Sequence, residues 1–181
     1  FILSSSDDGA SWSEPRPLNL IQSRPELSKL TAGPAAGIQL RHGTRKGRLV
    51  IPGYSVEVDE AHQHSCLMYS DDHGETWKLG GFGPDQSGES TVVELEDGTV
   101  MLNMRARIKD ANGQVLLYRS VARSDDGGET LATSSIQYDL PDPNCQAHVL
   151  GNLPAAPAHA APGRAEDGPG VKNVILYSGP H

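Results

Sequence analysis

Two stretches of this 181-residue chain combine residue types that do chemistry. In Thr99–Arg107, Val100, Leu102, Met104 and Ala106 alternate with Met101, Asn103, Arg105 and Arg107. A strand here would put the first set on an apolar face and both arginines on the other. Most surface arginines are solvated; one on a covered face needs a partner. A guanidinium fork can hold a carboxylate through paired charge-assisted hydrogen bonds. Glu89 lies sixteen residues before Arg105, with the tight-turn tripeptide Glu96-Asp97-Gly98 between them. A hairpin over this segment returns Glu89 and Arg105 to the same end of two strands. A Glu after Gly is otherwise an ordinary exposed loop carboxylate. The seven histidines, with His62-Gln63-His64 ahead of Asp71 and Asp72, raise a metal site. They supply no clear third ligand, so no metal is expected. The chain has no Gly-rich phosphate loop and no Gly-x-Ser-x-Gly elbow.

The elements that must position these residues follow from a repeat. Ser5-Ser6-Asp7-Asp8-Gly9-Ala10-Ser11-Trp12 has near copies in Ser70-Asp71-Asp72-His73-Gly74-Glu75-Thr76-Trp77 and Ser124-Asp125-Asp126-Gly127-Gly128-Glu129-Thr130-Leu131. The aligned aspartates Asp7, Asp72 and Asp126 stand 65 and 54 residues apart. The Asp caps the turn by accepting backbone N–H bonds, and the Ser or Thr adds a local hydrogen bond. The Gly takes positive φ, and the Trp is expected to bury its ring beside the hairpin. Leu131 replaces that ring, so the third copy is expected to be held more weakly. Strand-like runs precede the second copy (Ile38–Leu40, Arg48–Val56, Ser65–Ser70) and the third (Thr91–Leu95, Thr99–Arg107, Val115–Ser124). Helical periodicity is nearly absent; only Leu18–Lys29 could hold a short turn, and Pro25 breaks it. From Gly151 to Lys172 the composition changes, with Pro, Ala and Gly dominating Leu153–Gly170; this reads as a long surface loop before Asn173–Ser178 resumes as a strand.

The three octapeptides match the Asp box (BNR repeat) of sialidases and related β-propellers, and the Gly88–Arg105 segment resembles the catalytic hairpin of exo-α-sialidases. The resemblance implies an all-β fold, a partial six-bladed β-propeller with about three four-stranded blades in 1–181. Each box would join the two outer strands of a blade, away from the active site. Ser5, Asp7, Gly9, Trp12, Ser70, Asp72, Gly74, Trp77, Ser124, Asp126 and Gly128 would be structural. Glu89 would be the base that takes the proton of a nucleophilic tyrosine, and Arg105, in Asn103-Met104-Arg105, one of three arginines clamping the sialic acid carboxylate. A neutral phenol suits an anomeric carbon that already carries a carboxylate, which sets sialidases apart from two-carboxylate glycosidases. Arg45–Pro52 resembles a family strand ending in a loop over the sugar; Tyr54 just beyond matches a position that contacts the glycerol chain. Asp142-Pro143-Asn144-Cys145-Gln146 resembles the family's Pro-x-Cys-Gln segment, whose Gln lies near substrate. The family continues Gly-Ser where this chain has Ala147-His148.

The resemblance further implies retaining hydrolysis of terminal sialic acid from glycoproteins, gangliosides or oligosaccharides, with no cofactor and no metal. It favours a secreted, lysosomal or membrane-associated setting over a nuclear one. The family's Phe/Tyr-Arg-Ile-Pro motif and acid/base Asp do not occur here. Its nucleophilic Tyr and third Arg lie further along, and Tyr177 comes too early to be that nucleophile. The chain therefore reads as a central fragment, inactive alone. A non-catalytic Asp-box propeller that binds glycans or proteins is the alternative, and the Glu89–Arg105 spacing argues against it.

Composition fits. The 20 Gly and 13 Pro are distributed between apolar runs, as hairpin tips require, and hydrophobic residues make 36%. A net charge of −8 without a basic block argues against nucleic acid as partner. No apolar run reaches the ~20 residues of a membrane span. Cys66 and Cys145 form neither a disulfide framework nor a zinc spacing, and read as two free buried thiols.

Overall fold

The computed structural model describes residues 1–154 and 173–179. Every regular element among them is a strand: β1 (Leu27–Ala32), β2 (Ile38–Gln39), β3 (Leu49–Glu57), β4 (Gln63–Ser70), β5 (Lys78–Asp85), β6 (Ser87–Glu94), β7 (Val100–Ala106), β8 (Tyr118–Ser124), β9 (Ser135–Pro141), β10 (His148–Pro154) and β11 (Asn173–Ser178). No helix of the described residues is long and apolar enough to cross a membrane.

The strands form two successive antiparallel blades and part of a third. The first runs β1-β3-β4-β5, with β2 also pairing β3. Both β1 and β2 lie along β3, so they are one inner edge interrupted at 33–37. The second blade is β6-β7-β8-β9, and β10 pairs with β11 beyond it. An isolated bridge, Ile2 to Arg16, closes the hairpin that carries the first Asp box. The arithmetic of about three blades thus divides into two complete sheets with a box hairpin before them and a strand pair after.

Strand alternation fixes which face meets which neighbour. Val100, Leu102 and Met104 of β7 join Val92 and Ala122 against Val50, Leu67 and Tyr69 of the first blade. Val93, Met101 and Val121 point the other way, with Val149 of β10. Each such aliphatic side chain removed from water is worth about 1.5–3 kcal/mol. The central strands of both blades are covered on both faces, so the core lies between blades.

Both later boxes join outer strands, β4 to β5 and β8 to β9. Ser70 and Ser124 hydroxyls donate to Asp72 and Asp126, while Thr76 and Thr130 donate both N–H and O–H to the same carboxylates. Asp7 is bonded alike by Ser5 and Ser11. These bonds hold the Asp7 and Asp72 carboxyls down at about 2. Asp126 also falls to about 2: burial works against its charge, and the Thr130 and Ser124 bonds override it.

Several readings are taken up again here. Trp12 is not buried; it is 63% exposed. In the third box Leu131 packs on the first core cluster and Gly128 O accepts from Gly81 N at 3.0 Å, while the second box has in addition the bond from Trp77 Nε1 to Gly74 O at 3.1 Å. The stretch over Leu18–Lys29 holds a turn, as read, and then enters β1 at Leu27. Cys66 is free and buried, its thiol pushed up to about 12 by desolvation, but Cys145 is free and exposed. Of the loop read at 151–172, Gly151–Pro154 continue β10, and 155–172 lie outside the described residues.

Candidate active site

The site begins with a register slip. Ser87 pairs with Ala106, yet Ser90 pairs with Met104, so Gly88 and Glu89 together face the single residue Arg105. Such a β-bulge bends the strand and re-aims a side chain. Here it sets Glu89 Oε2 3.4 Å from Arg105 Nε. The contact is an ion pair and not an aligned hydrogen bond, since Arg105 Nε is buried with no hydrogen-bond partner among the described residues. The bulge needs Gly88: a β-carbon there would meet Arg105 Nη2 at 2.6 Å and collide with Gln63 Nε2. The first blade pins the bulge from its other side. Ser65 Oγ donates to Gly88 O at 2.5 Å, and Ser87 Oγ accepts from Ser65 N at 2.8 Å.

Arg105 and Arg107 lie on the β7 face opposite Leu102 and Met104, as alternation predicts. Both donate to Asn144 Oδ1, Arg105 through Nη1 at 3.4 Å and Arg107 through Nε at 3.1 Å. Gln63, Gln86, Arg105 and Arg107 enclose a polar cavity of about 100 Å³. Together the groups present guanidinium and carboxamide donors beside one carboxylate, an arrangement suited to an anionic, hydroxyl-rich ligand.

The two weaker expectations fall near this pair without joining it directly. Tyr54 is paired with Ser65, so it shares the sheet face that packs on Gly88. Its hydroxyl lies 3.5 Å from Lys29 Nζ, and it has no hydrogen bond to Glu89 or Arg105 among the described residues. Gln146 follows Asn144 in the same turn, and its Oε1 is enclosed with no partner among the described residues. The histidines go elsewhere: His62 Nδ1 meets Asp85 at 2.9 Å, which raises the imidazole's pKa, and His64 Nε2 lies 3.3 Å from Glu57.

Arg119 was not anticipated. It is fully buried, donating to Asn103 Oδ1 at 2.6 Å, Asn103 O at 3.2 Å, Asp142 Oδ2 at 3.0 Å and Cys145 O at 3.1 Å. Burial presses its pKa down, with the Asp142 charge opposing. The available signal was an Arg on the same strand face as the core residue Val121.

Sheets packed face to face in chain order, their outer strands closed by Asp boxes, define a β-propeller of the Asp-box class. Residues 1–160 match the BNR repeat-like domain. The chain belongs to the BNR-repeat family that includes the sialidases. It is 37% identical over 163 residues to a sialidase of Micromonospora viridifaciens, covering 88% of this chain and 24% of that protein. Human sialidase-4 is 28% identical over 196 residues, covering 99% of this chain and 39% of that one. The structure of the leech intramolecular trans-sialidase superposes with a TM-score of 0.68 at 28% identity, over 83% of this chain and 21% of that chain. The chain spans 24% and 29% of the length of the first two curated relatives it matches.

Proposed function

We propose that this chain forms part of an exo-α-sialidase, a retaining glycoside hydrolase that releases terminal sialic acid from glycoproteins, gangliosides or oligosaccharides. Arg105 binds the sugar's carboxylate. Glu89 takes the proton of a tyrosine as that phenol attacks the anomeric carbon, and the glycosidic C–O bond breaks with its oxygen leaving as the aglycone alcohol, protonated by a general acid. The phenol suits the task because it approaches the anionic sugar uncharged, and the Glu89 carboxylate is neutralised as it takes the phenol's proton. Tyr54 and Gln146 are substrate contacts flanking the pair.

The observation that carries this reading is the bulge, which sets Glu89 against Arg105 across one strand pair. With Nε facing Glu89 and Nη1 on Asn144, Arg105 Nη2 has no hydrogen bond among the described residues and is free to donate to a ligand carboxylate. The relatives add substrate chemistry, since the leech enzyme's structure holds 2,7-anhydro-Neu5Ac after soaking with 3'-sialyllactose. The test is turnover of a fluorogenic sialoside by the protein carrying this chain. Glu89→Ala and Arg105→Ala are each expected to lower kcat/KM by about 10²–10³. Near-normal turnover by both would overturn the assignment and favour a non-catalytic binding propeller.

A further inference from the structure

Asn144 combines two properties that no other standard residue combines as well. Its backbone is left-handed, φ 66°, a conformation that Gly, Asn and Asp tolerate and most side chains resist. Its Oδ1 accepts from both Arg105 and Arg107. Gly would suit the backbone and lose the oxygen. Asp would keep an oxygen but bring a negative charge between two guanidiniums, where it would compete with an anionic ligand.

The turn that carries Asn144 is fixed from beneath. Asp142 N donates to Leu117 O at 2.8 Å, and Asp142 Oδ1 accepts from Cys145 N at 2.9 Å. Arg119 ties Asp142 and Cys145 to Asn103, two residues before Arg105 on the same face of β7. Arg119 and Asp142 are 0% and 3% exposed, so the tie is out of reach of competing water. The strand that holds Arg105 and the turn that holds Asn144 are therefore joined through one buried guanidinium. Glu89 lies on the Nε side of Arg105 and Asn144 at Nη1.

We infer that Asn144 is a positioning residue. It holds the Arg105 guanidinium in plane for a ligand carboxylate, and it is neutral so that the charge of Arg105 stays available to that ligand. The inference rests on the reading of Arg105 as the carboxylate-binding arginine. A neutral backbone turn with no such role would be served equally well by Gly.

The test uses the protein carrying this chain and a fluorogenic sialoside. Asn144→Gly is expected to raise KM about tenfold, the low end for a hydrogen bond to a charged group because the Arg105 contact is long, with kcat changed less than about twofold. Its Tm should not fall, since Gly accepts the backbone angle. Asn144→Asp should also raise KM, with Tm maintained. In an Arg105→Lys background, Asn144→Gly should add less than about twofold, because its effect passes through Arg105. Wild-type KM in Asn144→Gly, or a full tenfold rise in the Arg105→Lys background, overturns the inference. If Arg105→Ala itself leaves turnover intact, the reading of Arg105 fails; if Arg105→Ala loses turnover and Asn144→Gly keeps its KM, only the role of Asn144 fails.

Discussion

The two ends of the second blade are made of similar residues arranged to opposite purposes. At the box end, charges are consumed internally. Asp126 is bonded by Ser124 and Thr130, and Arg48, 2% exposed, grips Asp71 through two nitrogens at 2.7 and 2.9 Å. Arg48 also reaches Glu129 and the carbonyls of Asp126 and Gly127, and lies over the Tyr69 ring at 4.1 Å. The first blade's box end is saturated in the same way, with Arg16 donating to Gly74 O and Glu75 O. At the other end, Arg105 Nε and Gln146 Oε1 are enclosed without partners among the described residues, and Gln86 and Asn144 adopt left-handed backbones. Polar groups saturated by one another hold blades together. Polar groups left incomplete on a rigid frame are prepared for something that binds.

That contrast can be broken in several places. The largest effect on stability is expected from Arg119→Ala, which leaves Asp142 buried and uncompensated; chemical denaturation should show a loss of about 3–5 kcal/mol. A loss under about 1 kcal/mol would mean that the buried tie does not join β7 to the 142–146 turn. Arg48→Ala should cost less, about 1–3 kcal/mol, because Asp71 and Glu129 keep access to water. Its kcat/KM per folded molecule should match wild type; a large catalytic loss would erase the distinction between the ends. Gly88→Ala should act on turnover more than on stability, since the colliding atoms are the flexible ends of Arg105 and Gln63. A drop in kcat/KM of about tenfold is expected, as one misplaced contact costs on this scale. The smallest effect concerns acid. Asp7, Asp72 and Asp126 titrate at about 2 in the folded chain against an ordinary 3.8. Depressed carboxylates stabilise the fold above the ordinary value, and that stabilisation is lost as pH falls toward 2. Tm should therefore decline across this window, and a flat Tm would show that the boxes contribute no such linkage.

The sequence made the box end legible because each octapeptide makes its own bonds within four residues, so pattern and geometry coincide. Strand alternation in Thr99–Arg107 likewise placed Leu102 and Arg105 on their correct faces. The inner edge strand β1 escaped because Leu27–Ala32 is largely uncovered and carries no strict alternation. The bulge at Gly88–Glu89 has no local signature; it exists because Ser65 and Ser87 pin that segment to the first blade. Asn144 and Arg119 reach their partners over 16 to 39 residues, and nothing in the composition of a turn or strand tells which arginine will be the buried one.

The most direct test compares one truncation at each end. In the protein carrying this chain, kcat/KM for a fluorogenic sialoside should fall by about 10²–10³ in Arg105→Ala, with Tm close to wild type. In Asp126→Ala, Tm should fall while kcat/KM below the transition stays within about twofold of wild type, as expected for a turn that supports the fold away from the chemistry. Equal catalytic losses in the two variants, or wild-type turnover by Arg105→Ala, would contradict the division of the blade into a structural and a functional end.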